Sequence, residues 1–359
     1  MISCKPIKVR NLARWILFAV ITVAVGMATS WNGYAQTMDQ IIAGAKKEGE
    51  VRVSISVRKK RRGLIMGTRL IEAFQKKYPF IKVKYKRIGG SRQRERVFSE
   101  LVGGMISYDV ATLSNTQVEP GIKANIFQKV NWKKLGARST IIHPTGVGVS
   151  YRTQVFGMGY NTDLVSKEDA QKLSWEDCIN PKWAGKFATD DRPRHLEVLY
   201  QDNAWGREKT LDYARKLVAN KPIIVMSRSE AVLKLSAGAH HIICGARWSG
   251  IRRQIAWGSK NIGFTAADPV IITAGDLIFV PRKTKNPNAG LLWILWSVSD
   301  EGQKLLDEVQ WTGNPAIPGT SAEKLIKGKK IVEASWEYQS RSNDILKEIL
   351  TAMGFPVVR

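Results

Sequence analysis

The sequence predicts an α/β protein built on a mostly parallel sheet, and three observations predict it. Residues of alternating character recur in short runs, apolar residues at helical spacing fall between those runs, and the connections are brief. A strand, helix, strand order with short connections implies parallel pairing, and parallel sheets bind ligands at the carboxyl ends of their strands.

Val51, Val53, Ile55 and Val57 alternate with Arg52, Ser54 and Ser56, which is the period of a strand. Met66, Leu70, Ala73 and Phe74 then repeat at helical spacing until Pro79. Ile81, Val83 and Tyr85 return to period two, Gly89-Gly90-Ser91 turns the chain into a second helix ending near Gly103-Gly104, and Asp109 to Leu113 forms a third strand. This order places Ser54 to Arg58, Gly90 to Arg92 and Ser114-Asn115 around one crevice. Phe156 to Asn161 reads as a short strand entering a second lobe, and SWEDCINPKWAGKFATDD as a Trp-rich loop and helix leading to another strand. Ile223 to Met226, Ile242-Ile243 and Ile262 to Phe264 are further strands. After Asp276 a buried strand, LIFVP, precedes a Pro-started helix over Asn288 to Trp296. Ser299 caps the next helix, with Asp300 and Glu301 where the helix dipole favours negative charge.

The N-terminus has the form of a cleavable leader. Lys5, Lys8, Arg10 and Arg14 make a positive region, Trp15 to Ala28 an apolar stretch short for a membrane span, and Gly33-Tyr34-Ala35 a small-residue cleavage site. Processing is expected near Ala35. The 359-residue chain then leaves enough length for two domains with cores of their own, and its formal charge of +25 falls to +21 once the four leader cations are removed. Such an excess favours anionic partners. Nucleic acid is not expected among them, because no recognition motif or base-stacking aromatic set accompanies the basic residues.

Catalytic signatures are absent. The four histidines are His143, His195, His240 and His241, and adjacent residues on a strand point to opposite faces, so the last two cannot converge on one metal. There is no glycine-rich phosphate loop, paired-cysteine motif or His-Glu metal motif, so neither an enzyme nor a cofactor is expected. Cys178 and Cys244 lie where apolar residues would fit and are expected as two buried free thiols, although an oxidising compartment would permit a bond.

Seven segments in order, AKKEGEVRVSIS, LIEAFQKKYPFIKVKY, YDVATLS, FGMGYNTDLVSKEDA, SWEDCINPKWAGKFATDD, SRSEAVLKLSAG and NPNAGLLWILWSVSDEGQKLL, give the chain a resemblance to the periplasmic solute-binding proteins of ABC transporters, extracellular family 1. Within that group it is most similar to the ferric-iron, thiamine and phosphonate binders. The resemblance implies a two-lobed type 2 periplasmic binding fold, each lobe a mostly parallel sheet flanked by helices and joined by crossing hinge strands. It divides the chain into a signal peptide (1–35), the first part of lobe 1 (36–150), lobe 2 (151–272), and a return to lobe 1 with C-terminal helices (273–359). It also implies a monomer that clamps a small solute and delivers it to a membrane permease and ATPase on other chains.

Iron-binding relatives use phenolates, and Tyr160 matches the first such position, but Cys244 to Trp248 stands where a tyrosine pair would fall. A hard trivalent cation needs anionic oxygens, so bare iron is the alternative reading, beside a basic envelope interaction protein. The run Arg58 to Arg62 is either a solvated loop or an anion-facing turn. Ser56, Arg58, Ser91, Arg92, Ser114, Asn115, Tyr160, Arg192, Arg228, Arg247 and Trp248 are the candidate ligand-binding residues, suited to a carboxylate, phosphonate, phosphate or anionic chelate. Arg228, with Ser227 and Ser229 able to cap a helix, is expected either to hold an anion or to pair with an acid such as Glu230.

Overall fold

The computed structural model describes residues 36–355 except 56, 58–59, 62–63, 66 and 89–90, so the leader, Ser56 and Arg58 lie outside the described residues. Lobe 1 opens with α1 (Met38–Glu48), β1 (Glu50–Ile55), α2 (Gly67–Lys77), β2 (Lys82–Arg87), α3 (Ser91–Val102), β3 (Ala111–Leu113) and α4 (Asn115–Lys123). The expected alternation is visible in burial, since Val51, Val53 and Ile55 are buried while Arg52 between them is half-exposed. β1 pairs in parallel with β2 from Glu50 opposite Lys82 to Ile55 opposite Arg87, and Val53 bridges in parallel to Val110 beside β3. Of the basic run, Lys60–Arg61 pairs antiparallel with Leu64–Ile65 in a short hairpin.

After β4 (Val149–Ser150), the nine-residue β5 (Thr153–Asn161) carries the chain into lobe 2. That lobe continues through β6 (Phe187–Asp190), α5 (Arg194–Leu199), α6 (Gly206–Ala219), β7 (Ile223–Val225), α7 (Arg228–Ser236), β8 (Ile242–Arg247), α8 (Trp248–Ala256), β9 (Ile262–Thr265) and β10 (Val270–Ala274). β11 (Leu277–Phe279) then returns to lobe 1 and lies antiparallel to both β3 and β4. α9 (Pro287–Val298), apolar all round, is buried along its length on α1 and β1. α10 (Asp300–Gln310) follows, with Ser299 accepting from the Gly302 amide as its cap.

Two expectations are corrected here. The sheets are mixed rather than mostly parallel: β5 enters lobe 2 against the local strand direction and pairs antiparallel with β8, β9 and β10, whereas β6 pairs in parallel with β7 and β8. The chain also returns to lobe 2 a second time, because β12 (Ile331–Glu333) pairs in parallel with β10, and Ile345 and Ile349 of α12 (Ser342–Ala352) join the core that holds Leu199 and Ala214. The short α11 (Trp336–Ser340) between them packs on α4 of lobe 1.

A third correction concerns the cysteines. Cys178 and Cys244 are joined as a disulfide, with 6.0 Å between their Cα atoms and 66 residues of chain between them. Apolar surroundings suggested thiols, but the same burial brings the two sulfurs together: the Trp175–Ile179 turn packs on the strand that carries Cys244, and both cysteines belong to one core.

Candidate functional site

Two cavities, of about 560 and 510 Å³, meet where the lobes face one another, and Arg152, Gln154, Arg228 and Arg247 line both. The larger is closed by Ser114 and Asn115 at the start of α4, by Phe156, Arg192 and Arg194 of lobe 2, and by Tyr338, Gln339 and Ser342 of the C-terminal helices. The smaller runs into lobe 2 between the start of α7, at Ser227 to Ser229, and the start of α8, at Ser249 and Gly250. Asn115 donates through its side-chain amide to Gln339, so α4 and α11 touch at the cleft edge.

Positive charge dominates this lining. Arg87, Arg94, Arg152, Arg192, Arg194, Arg228, Arg247 and Arg253 face Glu95, Asp190, Glu197 and Asp276. The carboxylates are distributed among specific arginines. Asp276 takes Arg152 at 2.6 Å and Arg94 at 3.1 Å, Glu197 takes Arg194 at 2.8 Å together with the Ser342 hydroxyl, and Asp190 takes Nε of Arg228. Arg247 has no acidic partner among the described residues, and its Nε is buried without a hydrogen bond. Its guanidinium lies 5.1 Å over the Phe156 ring. Burial first, and then the neighbouring charge of Arg228, push the Arg247 pKa down to about 9. A guanidinium there is still charged at neutral pH, so the cleft holds an uncompensated cation.

The local fold explains how Arg247 comes to be there. β8 shifts register against β5 between Cys244 and Ala246, a bulge at which Gly245 has φ +79°. A side chain at Gly245 would both strain the backbone and put a Cβ 2.2 Å from Nδ1 of His195, so the turn requires glycine. The disulfide pins Cys244 immediately before the bulge, and Arg247 follows at the strand end as the residue that opens α8.

The structure brings Ser114, Asn115, Arg192, Arg228 and Arg247 together around the cleft. Arg192 is exposed there, and Ser114 caps α4 in a capping box with Gln117. Arg228 pairs with Asp190 and donates to the Arg192 carbonyl at 3.1 Å, whereas Glu230 pairs with Lys234 at 2.8 Å and Ser227 accepts from the Glu230 amide as the cap of α7. Arg92 is exposed at the start of α3 and lines neither cavity, Arg94 standing there instead. Ser91 begins the same helix. Tyr160 sits near the far end of β5, its ring across Gly263, and Trp248 donates to Ser321 at 2.9 Å against Phe264. Neither reaches the cavities. Sequence reasoning missed Arg152, Asp190 and Asp276. Asp190 ends a strand, and Arg152 and Asp276 flank the two crossing strands, which is the signal that would have found them.

A two-lobed α/β fold with a cleft at the crossing strands defines the type 2 periplasmic binding class. A profile of the bacterial extracellular solute-binding proteins matches residues 69–334, and the chain belongs to that family, which supplies substrate to ABC importers. Comparison with curated proteins returns no match. Among solved structures the chain is similar to the Trichodesmium protein IdiA (FutA) in complex with iron and citrate (17% identity, 86% of this chain and 100% of that one, TM-score 0.68). It is also similar to the apo ferric ion-binding protein A of Pasteurella haemolytica (17%, 87% and 100%, 0.65) and to the spermidine/putrescine-binding protein PotD of Streptococcus pneumoniae (14%, 85% and 99%, 0.57). No group of three His, Cys, Asp or Glu side chains among the described residues is placed to hold a metal, and no described helix is long and apolar enough to cross a membrane.

Proposed function

We propose that this protein, exported to the periplasm after cleavage near Ala35, captures a small anionic solute between its lobes and delivers it to an ABC permease and its ATPase. The observation that carries this reading is Arg247, a half-buried cation in the cleft whose Nε is buried without a hydrogen bond and which has no acidic partner among the described residues. Leaving a buried charge uncompensated is costly, so the position favours an anion that arrives from outside. Arg228 and the starts of α7 and α8 add positive potential to the same chamber, which suits an oxyanion such as a carboxylate, phosphate or phosphonate.

Bare ferric iron fits this lining poorly, because the surplus of arginines repels a trivalent cation and Tyr160 stands away from the cavities. A ferric chelate that is anionic overall belongs to the proposed class. A thermal-shift screen of phosphonates, organic acids, sugars, polyamines and ferric chelates, followed by calorimetry of the best ligand, tests the reading. Anions are expected to raise the melting temperature, and Arg247→Ala is expected to abolish the shift in a protein that remains folded. Preference for a cationic or neutral solute, or affinity unchanged within about threefold in both Arg228→Ala and Arg247→Ala, would refute it.

A further inference from the structure

Arg228 is not empty-handed in the cleft, and the group it holds is the only carboxylate among the described residues that line the smaller, inner cavity. Asp190 is the last residue of β6, its side chain is 11% exposed, and it faces Nε of Arg228, whose own side chain is 39% exposed and open to the cavity. The Arg192 amide donates to Asp190 at 3.1 Å. Asp276, which serves the outer chamber, is compensated by two guanidiniums; Asp190 shares one with the nearby Asp191.

We propose that Asp190 is the resident counter-ion of the cleft: an incoming anion displaces it from Arg228, and the site takes up its anion together with one proton on the Asp190 carboxylate. The proposal rests on the anionic-solute reading above and adds a rule of selection to it. The proton comes from solvent, and no bond to the solute forms or breaks. Any acid group able to compete must hold Arg228 and Arg247 better than a tethered carboxylate does, which excludes weak and diffuse anions.

The physical basis is that an anion seated between Arg228 and Arg247 removes the cation that keeps Asp190 ionised and adds a negative charge beside it. Both changes raise the affinity of Asp190 for a proton. Even with Arg228 in place, burial, followed by the presence of Asp191, outweighs that cation and lifts the Asp190 pKa to about 6. Among the described residues, Arg228, Asp191, Arg192 and Arg247 act on Asp190, and Arg194, His195 and Glu197 of α5 surround its partner Arg228. His195 is fully buried, and that burial, with Arg228, pushes it down to about 3, so it stays neutral throughout and is not the titrating group. Glu197 is also pushed up by burial, but it is held by Arg194 and Ser342 rather than by the ligand-facing arginines. Binding and protonation at Asp190 must then promote each other equally.

The test uses sulfate, which stays fully ionised between pH 5.5 and 7.5, in calorimetric titrations of the wild-type protein and of Asp190→Asn. Wild type is expected to bind sulfate on the order of tenfold more tightly at pH 5.5 than at 7.5, because the competent fraction follows Asp190 protonation. Repeating the titration at pH 7.5 in buffers of different ionisation enthalpy should show proton uptake approaching one per sulfate, a readout that needs no variant. Asp190→Asn is expected to bind with the same affinity at both pH values and without proton uptake. Wild-type binding that is independent of pH and releases or takes up no proton overturns the counter-ion role while leaving the anionic cleft standing. Absence of sulfate binding to both proteins at both pH values overturns the cleft reading and this proposal together.

Discussion

Two buried aspartates, one in each lobe, face arginines and behave in opposite ways. Asp109 in lobe 1 is fully buried and accepts from the Arg52 guanidinium at 2.6 Å, the Arg52 amide at 2.8 Å, the Thr284 hydroxyl, and the Asn286 amide and side chain. Burial raises its pKa, but the donors led by Arg52 and Thr284 outweigh burial and hold it below the ordinary carboxylate range. Asp190 in lobe 2 has fewer donors and a nearby acid, and its pKa is raised to about 6. A carboxylate whose lone pairs are filled locks strands together. One left under-compensated in a cavity is available for exchange.

The largest expected effect is on the satisfied side of this comparison. Asp109→Ala leaves Arg52, Thr284 and Asn286 without their shared buried acceptor, and should cost about 3–5 kcal/mol in denaturant unfolding. Asp190→Asn, which keeps the shape and removes a strained charge, should cost far less; equal losses would erase the distinction.

Next comes the disulfide that ties the site strand to the Trp175 turn. Cys178→Ser with Cys244→Ser should lower stability by about 2–4 kcal/mol. It should also weaken anion binding, because the bulge that aims Arg247 loses its anchor. Unfolding that is insensitive to reductant would count against the bond.

Arg247→Met sharpens the contrast between stability and function. Removing an uncompensated cation should raise stability by about 1 kcal/mol, while anion affinity drops by about 2–5 kcal/mol. Unfolding curves and titration of one preparation decide both.

A smaller effect lies in the pH dependence of stability. Because Asp109 is depressed, its stabilisation is present above about pH 4 and is lost only on strong acidification. Asp190 is raised, so its ionisation should cost stability progressively as pH rises from about 4 to about 6. The melting-temperature difference between wild type and Asp190→Asn should therefore change across that window, and a flat difference would contradict the assigned environment. The smallest effect belongs to Tyr160→Phe, which should leave anion affinity within about threefold, since its ring lies outside both cavities.

By itself the sequence determined the strands and helices and several helix caps, because periodic burial and capping are local properties written within a few residues of one another; the two-lobed class came from the resemblance of its segments to a known family. Ser299, Ser227 and the Pro-started α9 are examples of the local kind. It also drew attention to Arg228 and Arg247 through their places at helix starts. It could not show that Cys178 meets Cys244 across 66 residues, that Asp276 holds Arg152 across 124, or that Tyr160, near the end of β5, lines neither cavity. Nor could it tell that Arg228 comes with an internal partner while Arg247 has none among the described residues. Which charges are compensated depends on pairings between distant segments, and such pairings exist only once the sheets have formed. The composition announced an excess of positive charge; tertiary structure alone decided that Arg247, among the described residues, stands in the cleft without an acidic partner.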